Sequence, residues 1–374
     1  MTKNRGSVEN KLKELLSDRT ITDRNRDHIL KFKDNCVAEV MGNNRIHKYL
    51  TYLPKIARIL KKDFKKAEKE DIQRVLAELE KNQSYSAWTK YDFRVMIKRF
   101  YKWLEGDDEV YPKKVRWIKS WAVVKKARGV LPDELLTVEE IKAMIENCYN
   151  IRDKAIISVL YESGFRVSEF LGMRIKHVDF SGDLAHITFE IEGAKTGMRK
   201  IPLINSIPYL ANWIGNHPSQ NDPNSYVWIS NGHVNHNQPM CYGNLMDLLR
   251  KIAVRAGVKK RVNPHNFRHS KATEMAKSLT EYQLCLYFGW KKSATASTYV
   301  HLAGRDLDIA IRELAGLSTP EQKKNELEPI KCPRCEKTNE PTAKMCNRCG
   351  LILSAKNAMQ TMFWRGKELN TPPS

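Results

Sequence analysis

From Ile29 to Leu104 the apolar residues of this chain recur at spacings of three and four, a period that only helices satisfy. Ile29, Phe32, Cys36 and Val40 form one such set, and Ile46, Tyr49, Leu53, Ile56 and Leu60 a second, in which Pro54 is expected to kink the helix. Ile72, Val75, Leu76 and Leu79 form a third; Phe93, Ile97, Phe100 and Leu104 form a fourth, with Trp88 and Trp103 adding bulk. Lys and Arg occupy the remaining faces. Residues 21–104 therefore read as a small helical bundle with a basic exterior, preceded by an extension over residues 1–20.

A chain of 374 residues is too long for one such core, and a second large domain is expected. Residues 105–136 hold Gly106, Pro112, Pro132 and paired lysines and read as a basic linker, suited either to a DNA backbone or to a solvated tether. Thr137 and Glu140 have the spacing of a capping box and open a helix. A helix over Ile151 to Glu162 is expected to stop at Gly164, with Arg166 opening the next. The period then changes. Ala185 to Ile191 and Arg199 to Leu203 read as strands joined by a tight turn from Gly193 to Gly197 with Lys195 at its tip. Helices return near Leu210–Ile214, Tyr242–Ala256, Arg268–Lys277, Glu281–Phe288 and Leu307–Leu314. The fold class is mainly α with a small antiparallel β-sheet, and residues 137–316 form the second domain.

Lys and Arg number 64 against 43 Asp and Glu, a formal net charge of +21. Such an excess favours a polyanionic partner, because each phosphate neutralised releases condensed counterions. No uninterrupted apolar run of about 18 residues is present, so no membrane span is expected. Met1 to Ser17 is polar, without the apolar core of a signal peptide, and a cytoplasmic, nucleoid-associated protein is expected.

Four stretches of the second domain stand out together. They are Gly164, Phe165 and Arg166 followed by Ser168 and Glu169; the turn at Lys195; His265, Asn266, Phe267, Arg268 and His269; and Gly289 and Trp290 followed nine residues later by Tyr299. In this order they resemble the motif boxes of the tyrosine recombinase (phage integrase) family. The resemblance covers about residues 137–316, and residues 21–104 look like that family's core-binding DNA-binding domain.

The resemblance implies a site-specific DNA recombinase that cleaves and rejoins strands through a 3′-phosphotyrosine. The residue chemistry agrees. Breaking a phosphodiester without a metal takes a nucleophile, cations for the charge on the transferring phosphoryl group, and an acid for the leaving oxygen. Tyr299 matches the family's nucleophile, and its ester conserves the bond energy for religation. Arg166 and Arg268 match the phosphate clamp, a task for planar, permanently charged, bidentate guanidinium groups. Lys195 matches the acid that protonates the leaving 5′ oxygen, with Lys200 as a rival. His265 is expected to orient or deprotonate the Tyr299 hydroxyl, with His269 structural behind it. Trp290 stands where most members carry His, and an indole can donate and pack but cannot shuttle a proton. Glu169 is expected to hold Arg166 or Arg268. The implied partners are double-stranded DNA and three further copies in a homotetrameric synapse, with no nucleotide cofactor or catalytic metal. A type IB topoisomerase shares the chemistry, and a catalytically inactive DNA-binding regulator is the non-enzymatic alternative.

Cys332 and Cys335, then Cys346 and Cys349, make two CxxC knuckles ten residues apart, and Gly350 suits the turn after the second. Four thiolates at this spacing suit a structural Zn2+ in a zinc ribbon over residues 331–352, after a linker over 317–330 and before a tail over 353–374. Arg334, Lys337, Lys344 and Arg348 make the ribbon basic, for contact with DNA or with an accessory protein.

Overall fold

The computed structural model describes residues 3–106, 110–122, 132–180, 185–189, 199–232, 236–303, 315 and 327–353. The chain divides into two compact units, Met1–Gly129 and Val130–Ser374.

The first unit consists of α1 (Lys3–Ser17), α2 (Asp23–Ala38), α3 (Asn43–Leu60), α4 (Lys69–Lys81), α5 (Ala87–Leu104) and the short α6 (Lys113–Arg116). Side-chain caps set the helix starts. Thr22 accepts from the Asn25 amide and Ser86 from the Thr89 amide, each satisfying an amide that the first turn leaves orphaned. The core gathers around Phe32, whose ring lies 5.0 Å from Tyr49, 5.3 Å from Phe100 and 5.1 Å from Trp103. Pro54 sits inside α3, which is continuous through it. The bundle is larger than periodicity outlined. α1 packs on α3 and buries Leu15, and the start of the expected linker folds back so that Val115 and Ile118 are buried too.

In the second unit the expected capping box opens α7 (Val138–Glu146), with Thr137 and Glu140 bonded reciprocally. α8 (Ile151–Ser163) is buried on nearly every face, because α7, α10 (Ile207–Gly215) and α12 (Pro264–Met275) all pack against it. It ends at Gly164, whose φ of +54° favours glycine; a Cβ there would lie 2.5 Å from the Phe288 ring. α9 (Val167–Leu171) follows at once. The sheet runs β1 (Val178–Asp179), β2 (Ala185–Phe189), β3 (Arg199–Leu203), antiparallel throughout, with Ile187 opposite both Val178 and Ile201. β1 is a strand that the sequence pattern did not suggest. The remaining helices are α11 (Tyr242–Arg255), α13 (Glu281–Phe288) and α14 (Ser293–Leu302). α12 starts four residues before the expected Arg268, because Asn263 caps it and Pro264 occupies its first turn. The buried Glu162 carboxylate accepts from the amides of Ile204, Asn205 and Ser206 and from the Ser206 hydroxyl, which anchors the chain leaving β3 to α8. The turn holding Lys195, the helix expected over Leu307–Leu314, most of the linker expected over 317–330 and the tail from residue 354 lie outside the described residues.

The short strands β4 (Ile330–Lys331) and β5 (Thr338–Asn339) belong to the cysteine module. Its knuckles are near copies. In the first, Cys332 N donates to Lys337 O and Glu336 N to Cys332 O; in the second, Cys346 N donates to Leu351 O and Gly350 N to Cys346 O. Each knuckle needs a left-handed residue after its second cysteine. Gly350 supplies it at φ +71°, whereas Glu336 adopts it at φ +58° despite its Cβ.

Candidate active site and metal centre

Three helix ends and two helix faces bring the motif residues together. Arg166 caps α9 just beyond the end of α8. α12 carries His265, Arg268 and His269, α13 ends at Phe288 and Gly289, and α14 carries Tyr299.

Arg166 is held by both ends of one carboxylate. Its backbone amide donates to Glu169 Oε2 at 2.9 Å and its Nη1 to Glu169 Oε1 at 2.9 Å, while Nη2 donates to the Gly289 carbonyl at 3.0 Å. Its side chain is 40 % exposed, so it is the site's guanidinium most open to an incoming anion. Arg268 is 5 % exposed and ties two helix ends together, with Nη1 donating to Gly164 O at 2.8 Å and Nη2 to Phe288 O at 2.6 Å. Burial, with Arg166 alongside, pulls it down to about 10, so it keeps its charge at neutral pH. Among the described residues these two bonds use two of its five N–H groups. Of the two arginines expected for it, Glu169 bonds Arg166, and its second partner is Arg199.

Tyr299 is 7 % exposed. Its ring lies parallel to Trp290 at 4.9 Å, and Trp290 in turn stacks on Phe288 at 4.8 Å. Burial pushes the phenol up, opposed by Arg268. Its hydroxyl is hydrogen-bonded to His269 Nδ1, 2.6 Å away. Burial, then His265 and Arg268, hold His269 down to about 4, which keeps the imidazole neutral at neutral pH; with its proton on Nε2, its Nδ1 can accept from the phenol. His265 lies one helical turn earlier on the same face of α12. Its ring stands edge-on to His269 at 4.0 Å and lines a cavity of about 380 Å³ with Lys260 and Arg261. Of the two histidines, it is His269 that meets the hydroxyl; helix geometry puts both on one face, and the position of α14 decides which of them the phenol reaches.

Arg199 escaped the sequence reading. It is 9 % exposed and donates to Glu169 Oε2 at 2.9 Å. The available signal was strand parity: it shares a face with the buried Ile201 and Leu203, whereas Lys200 points to solvent.

A mainly helical unit with a three-stranded antiparallel sheet thus brings two arginines, one of them braced by a carboxylate, beside a buried tyrosine bonded to histidine. Residues 134–305 match the Phage integrase family. The chain is 26 % identical to a tyrosine recombinase of Thermosipho africanus, over 77 % of this chain and 95 % of that protein. Several other relatives are matched over only half to two thirds of their length. In fold it is similar to a XerH site-specific recombinase bound to palindromic difH substrate (TM-score 0.57, 18 % identity, 83 % of this chain and 94 % of that one). A lambda integrase dimer bound to a core site is similar as well (TM-score 0.58, 14 % identity, 79 % and 80 %). No helix among the described residues is long and apolar enough to cross a membrane.

The four cysteine sulfurs of the C-terminal module lie within 4.8 Å of one another, with Cys332 to Cys349 and Cys335 to Cys346 both at 3.5 Å. Tetrahedral thiolates about 2.3 Å from a zinc ion stand about 3.8 Å apart, so the set fits a metal ion. Asn339 braces it, donating to Lys337 O at 2.8 Å and accepting from the Asn347 amide at 3.0 Å. The module also docks on its own unit. Thr342 bonds the Tyr209 hydroxyl of α10 at 2.8 Å, and Glu340 accepts from Asn212 at 3.1 Å and pairs with Lys154 of α8 at 3.6 Å.

Proposed function

We propose that this chain is a site-specific recombinase acting on double-stranded DNA, with Tyr299 as nucleophile. The Tyr299 oxygen bonds to the scissile phosphorus, its proton passes to His269, and the 5′ oxygen leaves with a proton from Lys195. The product is a 3′-phosphotyrosine and a free 5′-hydroxyl. A 5′-hydroxyl from the partner strand reverses the exchange, so no external energy source is consumed. Arg166 and Arg268 hold the non-bridging oxygens. The phosphate's negative charge also offsets the cations that depress His269, so the base strengthens when substrate arrives. His265 supports His269, Trp290 fixes the phenol ring, and Glu169 orients Arg166.

Residues 21–104 serve as the core-binding domain and 137–316 as the catalytic domain, in a homotetramer that pairs two duplexes in the cytoplasm. The module over 331–352 is a zinc ribbon in which Cys332, Cys335, Cys346 and Cys349 fill every coordination position of a structural Zn2+. Its basic residues meet DNA or an accessory protein.

The observation that carries this reading is the Tyr299 hydroxyl bonded to a neutral His269 beside the two arginines. The test uses nicked suicide substrates and a denaturing gel. Wild type is expected to form a DNA-linked band that Tyr299→Phe lacks. Salt-sensitive binding with no adduct on any substrate would leave a DNA-binding regulator in its place.

A further inference from the structure

The proposed reaction leaves one cation beside Glu169 without a task. The Arg199 side chain enters the site from the first residue of β3, its guanidinium 5.8 Å from the Phe165 ring. Nη2 is spent on Glu169, but Nη1 is buried and has no hydrogen-bond partner among the described residues. It lies 2.7 Å from the point where a Gly289 side chain would begin, and Arg166 Nη1 lies 3.6 Å from that same point. Burial and Arg166 both disfavour the charge, and Glu169 offsets them in part. A buried charged nitrogen left unpaired is costly, and an apolar residue of similar volume would pack there without that cost.

Charge balance supplies a reason for it. Glu169 is shared between two arginines, Oε1 on Arg166 and Oε2 on both the Arg166 amide and Arg199. With Arg199 present, the carboxylate is divided and Arg166 keeps positive potential toward solvent. Without it, Glu169 neutralises Arg166 alone and is free to rotate away from the geometry that aims it.

We propose that Arg199 is a positioning residue of the recombinase: it holds and partly neutralises Glu169, so that Arg166 faces the scissile phosphate with its charge intact. Arg199 acts through Glu169, without touching DNA. The proposal rests on the recombinase reading, and a wild-type adduct lost in Tyr299→Phe must first be in hand; its absence would defeat that reading, whatever Arg199 does.

Given that adduct, single-turnover cleavage at saturating suicide substrate is measured beside DNA affinity and thermal melting. Arg199→Met is expected to cleave at least about tenfold more slowly, with affinity within about threefold of wild type. Arg199→Lys, which keeps a charge beside Glu169, is expected to recover part of the rate. The double variant Glu169→Gln/Arg199→Met should cleave faster than Arg199→Met, because removing the carboxylate also removes the neutralising charge. Wild-type rates in Arg199→Met would overturn the proposal. So would a loss that only follows the unfolded fraction, with no recovery in the double variant. If Arg199→Met does not fold, Arg199→Lys decides: a rate equal to wild type together with full rate in Glu169→Gln overturns the proposal.

Discussion

The Tyr299 hydroxyl and His269 Nδ1 stand 2.6 Å apart, within hydrogen-bonding distance. Helix α12 offers two histidines on one face, and the second bonds to α14. The roles of the pair separate on substitution. His269→Ala is expected to lower the rate of covalent adduct formation by about 10²–10⁴-fold, the usual worth of a positioned general base. His265→Ala, which removes a ring that contacts His269 edge-on, should cost less. Suicide-substrate time courses for both variants decide the order, and a larger loss for His265→Ala would return the base role to that residue.

Burial of the His269 ring, with His265 and Arg268 beside it, makes stability depend on pH. Folding lowers His269 from the ordinary value of about 6.5 to about 4. The unfolded chain therefore binds this proton more readily than the folded one. The stabilisation is complete above about pH 6.5 and is lost as pH falls toward about 4. Urea midpoints at pH 7.5, 5.5 and 4.5 should fall more steeply for wild type than for His269→Asn. Parallel profiles would mean that other groups carry the acid sensitivity.

Metal removal should reach beyond the cysteine module. Thr342 and Glu340 sit between the two knuckles, and their partners Tyr209, Asn212 and Lys154 lie on α8 and α10. Two hydrogen bonds at about 1 kcal/mol each, in a unit whose melting shifts by about 2–4 °C per kcal/mol, set an expected fall of about 4–8 °C on chelation. Thr342→Val should give about half of that fall in metal-loaded protein and little further change after chelation. A melting point of the second unit that ignores the chelator would show the module to be an independent bead.

Local patterns in the sequence carried much of this structure. The helical period marked the first unit's core except at Val40, which lies beyond the end of α2 and is exposed; Thr137 and Glu140 marked the start of α7, and Glu281–Phe288 matches α13 residue for residue. Glu169, expected on either Arg166 or Arg268, pairs with Arg166 across a helix start. What escaped depends on distant chain. Arg199 at a strand start reads as one more solvated cation until parity with Ile201 and Leu203 turns it inward. The choice between His265 and His269 is made by α14, some thirty residues further along. Val8, Leu12 and Leu15 do recur at helical spacing, but among many charges they are a faint signal for α1.

Arg268 fastens the end of α8 to the end of α13 through two backbone carbonyls, and it does so from the middle of the site. A laboratory seeking an inert version of this protein should therefore avoid that position. A variant there would remove a cation and also loosen two helix ends, and lost activity would be indistinguishable from lost shape. Tyr299→Phe deletes one oxygen and keeps the ring against Trp290, so it is the cleaner silent copy for trapping DNA assemblies.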